Sequence, residues 1–210
     1  MKNRYFFLRH GYSVSNEKGV ICSTSENGTL PEYGLLPEGM KQIAITAEKL
    51  SDIVNLSKTI IFTSPFTRTL QSALITKQIL GLPHYSFFVN NNLVERKFES
   101  LELESSILYE SVWSADINGE MSEGVESCIE VSIRISEFLE MCENRFESKD
   151  IIVVSHGDVI MIARTIFLEI SPFKHREFEY IKNGEFIEFN DKYKSTMFES
   201  KEKGFIDFDD

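Results

Sequence analysis

A chain of 210 residues with 42% hydrophobic content can enclose one sizeable core and is short for two, so a single domain over residues 1–210 is expected. Its formal net charge of −11 argues against a nucleic-acid or anionic-membrane partner, because such surfaces need a basic footprint; an anionic ligand would have to be gathered by a local positive pocket. Cys22, Cys128 and Cys142 fit neither a disulfide framework nor a Cys-x-x-Cys metal site and predict reduced thiols in a cytoplasmic protein.

The first residues hold too few apolar positions for a signal-peptide core, and no later run approaches the ~18 apolar residues of a membrane span. Arg4-Tyr5-Phe6-Phe7-Leu8 reads as a strand buried on both faces, as in a parallel sheet, and it stops at Arg9-His10-Gly11. Ligands of open α/β sheets bind beyond the carboxyl ends of the strands, which is where Arg9 and His10 fall. Tyr12 to Leu36 shows neither helical nor strand periodicity and reads as a long polar loop over the sheet edge, from which Asn16 can reach the same pocket. A helix is predicted from Pro37, with Met40, Ile43, Ala44, Ala47, Leu50 and Val54 on one face. The next strand covers 59–63. Ser64-Pro65 then offers a hydroxyl cap and a first-turn proline for a helix that ends near Leu80, before Gly81. This start puts Arg68 in the first turn, where a cation opposes the helix dipole unless an anion is bound there.

Phe87-Phe88-Val89 is a further strand, followed by an Asn90-Asn91-Asn92 turn and by Glu95, Arg96 and Lys97. From about residue 99 to 124 the pattern weakens, consistent with an acidic insertion packed across the sheet edge. Between Phe98 and Arg134 there is no basic residue and there are many acids, Glu99, Glu102, Glu104 and Asp116 among them. If this segment overhangs the pocket, its field favours neutral or cationic leaving groups; otherwise it is a solvated outer face. A helix over about 125–146 carries Val125, Ile129, Ser132, Ile135, Leu139 and Cys142 on one side. Ile151-Ile152-Val153-Val154-Ser155-His156-Gly157 repeats the first strand's pattern of an apolar run ending in His-Gly, so neighbouring strands would bring His10 and His156 to one edge. Gly11 and Gly157 would let the backbone turn or approach a ligand closely. A buried helix follows from Val159. Residues 178–189, split by Asn183-Gly184, predict a hairpin or paired edge strands, and the charged tail beyond Lys194 is read as peripheral, with Phe205, Ile206 and Phe208 able to dock.

Two histidines, two arginines and a carboxylate at strand ends do not suit a metal. Neither histidine has a second ligand at i+2, i+3 or i+4, and the arginines oppose a divalent cation. The Gly-x-Ser-x-Gly elbow of a serine hydrolase does not occur. Phosphoryl transfer fits, since its transition state needs in-line attack and fixed positive charge more than elaborate covalent chemistry. A histidine kept neutral by flanking arginines can serve as nucleophile.

Leu8-Arg9-His10-Gly11 with Asn16, Ser64-Pro65-x-x-Arg68-Thr69-x-Gln71-Ser72-Ala73, Glu95-Arg96-x-Phe98, Glu126-Ser127 and Val154-Ser155-His156-Gly157 resemble, in order, the motifs of the histidine phosphatase superfamily, phosphoglycerate mutase-like branch (branch 1). The resemblance implies an α/β fold, a Rossmann-like three-layer sandwich with a mostly parallel central sheet. It implies His10 as the phosphorylated nucleophile, with Arg9, Arg68 and His156 on the phosphoryl oxygens, Asn16 assisting, and Glu95 as proton donor and then base. The substrate would be a small phosphomonoester, or a phosphoprotein, handled without metal or cofactor by a chain for which a homodimer stays open. Family members commonly have glycines soon after the Glu-Arg pair, where this chain has Glu99 and Leu103, and mutases carry basic residues in the insertion, where this chain has none. A phosphatase is therefore expected. The alternatives are a phosphoglycerate mutase, a sugar bisphosphatase with Arg96 and Lys97 on a second phosphate, and a non-catalytic phosphate-binding regulator.

Overall fold

The computed structural model describes residues 1–189; the tail positions Lys194, Phe205, Ile206 and Phe208 lie outside them. Five strands form one sheet in the order β3-β2-β4-β1-β5: β1 (Arg4–Arg9), β2 (Thr59–Thr63), β3 (Phe87–Val89), β4 (Asp150–Ser155) and β5 (Phe186–Phe189). Only β5 runs antiparallel, against β1. The two apolar runs that end in His-Gly are neighbours, paired in parallel from Arg4↔Asp150 to Arg9↔Ser155, which brings their ends to the same edge. The expected α/β sandwich with a mostly parallel sheet is what the chain forms.

Alternation along the strands supplies both faces of the core. Tyr5, Phe7, Phe62, Ile151 and Val153 pack on one side against α6 (Cys128–Arg145) and α7 (Gly157–Phe167). Phe6, Leu8, Ile61, Ile152 and Val154 pack on the other against α3 (Pro37–Ser51) and α4 (Thr67–Ile79). Each such side chain, fully buried, contributes about 1.5–3 kcal/mol of transfer free energy. Ser127 caps α6 reciprocally with Glu130. Among the described residues no helix is long and apolar enough to cross a membrane.

Several elements differ from the periodicity. Met40 and Ile129 are exposed; the buried stripe of α3 is Gly39, Ile43, Thr46, Ala47 and Leu50, and that of α6 is Cys128, Val131, Ile135, Phe138, Leu139 and Cys142. The predicted hairpin over 178–189 is a single edge strand, because Phe178 to Asn183 crosses the sheet end instead of pairing. The long polar loop contains α1 (Val14–Lys18) and α2 (Ser25–Gly28). The acidic segment contains α5 (Tyr109–Ile117) and is stitched to that loop: Leu103 N–H donates to the Ile21 carbonyl at 2.8 Å and Ile21 N–H to that of Glu104 at 2.9 Å. Glu102 clinches this join. Its carboxylate accepts from Ser23 N and Oγ at 2.8 and 2.7 Å, from Thr24 N and Oγ1 at 3.2 and 3.0 Å, and from Asn27 Nδ2 at 2.9 Å, which together hold its proton affinity below the usual range against burial.

Candidate active site

At the carboxyl edge of the sheet lies a recess of about 90 Å³ whose walls include Arg9, His10, Asn16, Cys22, Arg68, Glu95, Tyr109, Asp158 and Tyr180. His10 follows β1 and His156 follows β4, and their rings meet edge to face at 5.3 Å. Both are buried. His10 Nδ1 lies 2.8 Å from the Gly11 carbonyl, which can only accept, so Nδ1 carries the proton and Nε2 presents a lone pair. Arg68 Nε, on the first turn of α4, donates to that Nε2 at 3.2 Å. The same guanidinium reaches the Cys22 carbonyl at 2.9 Å and His156 Nδ1 at 3.1 Å through Nη2. Burial first, then the charges of Arg68 and Arg9, hold His10 well below the ordinary histidine range. His156 is lowered likewise, by burial and then by Arg68. Both imidazoles are therefore neutral at physiological pH.

Arg9 donates from Nη1 to the Ile181 carbonyl at 2.7 Å and lies 5.1 Å over the Tyr180 ring, while its buried Nε has no hydrogen-bond partner. An unpartnered guanidinium N–H beside the recess suits an anion. Asn16 lines the same wall; its Oδ1 accepts from Ser13 N–H and Oγ and from Asn183 Nδ2, which leaves its amide N–H group for a ligand. Glu95 sits on the far side, with Oε2 3.8 Å from His156 Nδ1 and Oε1 accepting from the Arg96 backbone N–H at 2.9 Å. Burial, then the charge of Asp158, pushes its carboxyl up to about 7, with Arg68 and Arg9 opposing. Arg9, His10, Asn16, Arg68, Glu95 and His156 thus converge on one site.

Arg96 does not join them. It is buried, its guanidinium is bidentate on Asp116 at 2.6 and 2.9 Å, and its Nε donates to the Glu126 carbonyl at 2.6 Å, so nothing remains for a second phosphate. The acidic segment does overhang the recess, but with Ser106 and Tyr109; Glu99, Glu104, Glu110, Glu120 and Glu123 are exposed and none of them lines it. Ser64 is not a helix cap, since α4 begins at Thr67; its hydroxyl instead meets His156 Nε2 at 2.9 Å. Arg68 Nη2 can only donate, so His156 Nδ1 accepts from it and Nε2 carries the proton toward Ser64 Oγ; because that hydroxyl can also donate, the ring can exchange tautomers and present Nδ1 as donor to a ligand. The two glycines make room for protein rather than ligand. A Cβ on Gly11 would collide with the Gly39 carbonyl, and one on Gly157 with the Tyr180 hydroxyl.

The sequence model of the histidine phosphatase superfamily (branch 1) matches residues 5–199. This chain belongs to that superfamily. Solved structures with the same fold include a histidine-to-alanine mutant of phosphoserine phosphatase from Entamoeba histolytica in complex with phosphoserine (22% identity, TM-score 0.70, covering 91% of this chain and 92% of that one). Mycobacterial glucosyl-3-phosphoglycerate phosphatase (18%, 0.72, 88% and 88%) and α-ribazole phosphatase from Shigella flexneri (20%, 0.68, 88% and 89%) are similar to the same degree. No curated protein matches the chain.

Proposed function

We propose that this histidine phosphatase family member hydrolyses phosphomonoesters through a phosphohistidine at His10. The observation that carries this reading is the neutral His10 Nε2 lone pair held 3.2 Å from Arg68 Nε, so that a phosphoryl group joined to Nε2 lies against the guanidinium. Arg9, Arg68, Asn16 and His156 hold the phosphoryl oxygens and stabilise the charge that spreads over them in the transition state. Glu95 meets the two demands on a proton carrier. Protonated, it gives its proton to the departing alcohol; ionised, it takes one from the water that attacks phosphorus and releases phosphate. A carboxyl poised at about 7 can do both near neutral pH. The arginines supply the positive charge that other phosphatases take from metal ions, so the reaction is metal-independent.

The sugar bisphosphatase reading loses Arg96, which is committed to Asp116, and the mutase reading finds no basic residue in the acidic segment. Similarity to three solved phosphatases agrees with hydrolysis. A panel of phosphomonoesters, assayed with and without bisphosphoglycerate and with and without chelator, separates the readings. Phosphate release that needs neither addition is the expected result. Transfer only with bisphosphoglycerate would make it a mutase, and loss of activity with chelator, restored by magnesium, would contradict the metal-free mechanism.

A further inference from the structure

The recess is also lined by a group whose part in the scheme above is confined to raising the proton affinity of Glu95. Asp158 lines it, buried in the first turn of α7. Its oxygens accept from Trp113 Nε1 at 3.2 and 3.0 Å and from the Tyr180 hydroxyl at 3.3 Å. The guanidinium nearest to it, Arg96, is 3.6 Å away and already bidentate on Asp116. One guanidinium therefore serves two buried carboxylates. His175 stands 3.7 Å from Asp116 and adds no charge, since burial lowers its proton affinity. A metal on Asp116, Cys128 and His175, which lie within reach of one another, would have to displace Arg96 Nη1 from its 2.6 Å contact with Asp116 Oδ2. The surplus negative charge is left facing the recess.

What surrounds that charge is aromatic. Tyr109 and Tyr180 line the same recess, with Tyr109 stacked on Trp113 at 5.2 Å. Of the cations of the lining, Arg68 contacts His10 and His156, while Arg9 lies 5.1 Å over the Tyr180 ring. Arg176 lies behind the wall, its guanidinium 3.7 Å from the Trp113 centroid and 4.3 Å from that of Tyr180. A carboxylate set among aromatic faces attracts ammonium ions, by charge and by the ring quadrupole. Resting on the phosphatase reading, we propose that the preferred substrate is the phosphomonoester of a short alcohol bearing an ammonium group, seated between Asp158 and the Tyr109 ring. In the first step the ester P–O bond breaks, the bond from phosphorus to His10 Nε2 forms, Glu95 gives its proton to the departing oxygen, and the ammonium keeps its charge. A carboxylate or second phosphate on the alcohol would meet Asp158 as a like charge.

The test compares kcat/KM for ethanolamine phosphate and choline phosphate with that for propyl phosphate, phosphoserine, phosphoglycerate and an aryl phosphate. The ammonium esters are expected to exceed propyl phosphate by at least about tenfold, the scale of one close charge pair. Phosphoserine should fall between them and phosphoglycerate last. In Asp158→Asn the ratio of ethanolamine phosphate to propyl phosphate should drop toward one, whatever happens to the absolute rates; if that variant does not fold, the wild-type ratio decides alone. Hydrolysis of the aryl ester with no ammonium preference, or with phosphoglycerate preferred, overturns this proposal and leaves the phosphatase standing. Failure to hydrolyse any ester, aryl included, overturns both.

Discussion

The two ends of the recess are built by different means. The phosphoryl end takes His10 and His156 from the ends of adjacent parallel strands and Arg68 from a helix that follows a third strand, so the backbone of the sheet sets their spacing. The leaving-group end takes Tyr109 from the acidic segment, Tyr180 from the crossing before β5 and Asp158 from α7, and its order depends on one shared guanidinium, Arg96. Chemistry and selectivity thus divide within one fold. Groups that must hold a constant geometry against phosphorus sit on the rigid sheet edge, whereas groups that choose the alcohol sit on connections held by side-chain contacts.

Removing the nucleophile should have the largest effect. His10→Ala is expected to lower phosphate release by on the order of 10,000-fold or more, because the recess holds no substitute lone pair at that position. Retention of a tenth of wild-type activity would place the covalent step elsewhere. Glu95→Gln should cost roughly 100- to 10,000-fold on alkyl phosphates and much less on aryl phosphates, whose alcohols leave without protonation. The sign of the pH effect follows from the raised proton affinity. The acid form that donates is present below about 7 and is lost as pH rises through it, so kcat/KM for alkyl phosphates should fall across that range in the wild type and not in Glu95→Gln. A profile identical in the two proteins would remove Glu95 from the acid role.

At the other end, Asp116→Ala strands the buried Arg96 charge and is expected to cost about 3–5 kcal/mol of stability, read from urea unfolding. In the folded fraction, inhibition by inorganic phosphate should survive while discrimination among alcohols is lost, because only the leaving-group end depends on that pair. The smallest effect is expected at Glu102. It ties the acidic segment to Ser23 and Thr24, next to the Cys22 carbonyl on which Arg68 rests. Glu102→Ala should raise KM several-fold with kcat reduced less, and an unchanged KM would show that this join does not position Arg68.

How much of this is legible in the sequence follows the same division. Arg9, His10 and His156 each sit where an apolar run stops, and the two runs share a pattern, so the edge of the sheet could be assembled from strand periodicity alone. Arg96 misleads because neighbouring residues in a non-helical stretch face opposite ways: Glu95 turns to the recess and Arg96 turns back to Asp116. The acidic segment misleads because charge counts carry no direction; its exposed carboxylates face outward while Glu102 and Asp116 are consumed internally. Asp158 goes unread because it stands second in a largely apolar helix and its partners Trp113 and Tyr180 are 45 and 22 residues away. Ser64 is hidden by a better local explanation, that of a helix cap before proline, although it too ends a strand.

In the proposed mechanism His10 itself carries the phosphoryl group, and that species can be trapped. The protein is mixed with an aryl phosphate, quenched in alkali within the first turnovers and digested, and its peptides are sequenced by mass spectrometry. An alkali-stable, acid-labile phosphate is expected on the peptide spanning His10, formed and lost at rates that match turnover and absent from His10→Ala. Phosphate release at an unchanged rate with no phosphohistidine at any time, or with the phosphate on another side chain, would contradict that mechanism.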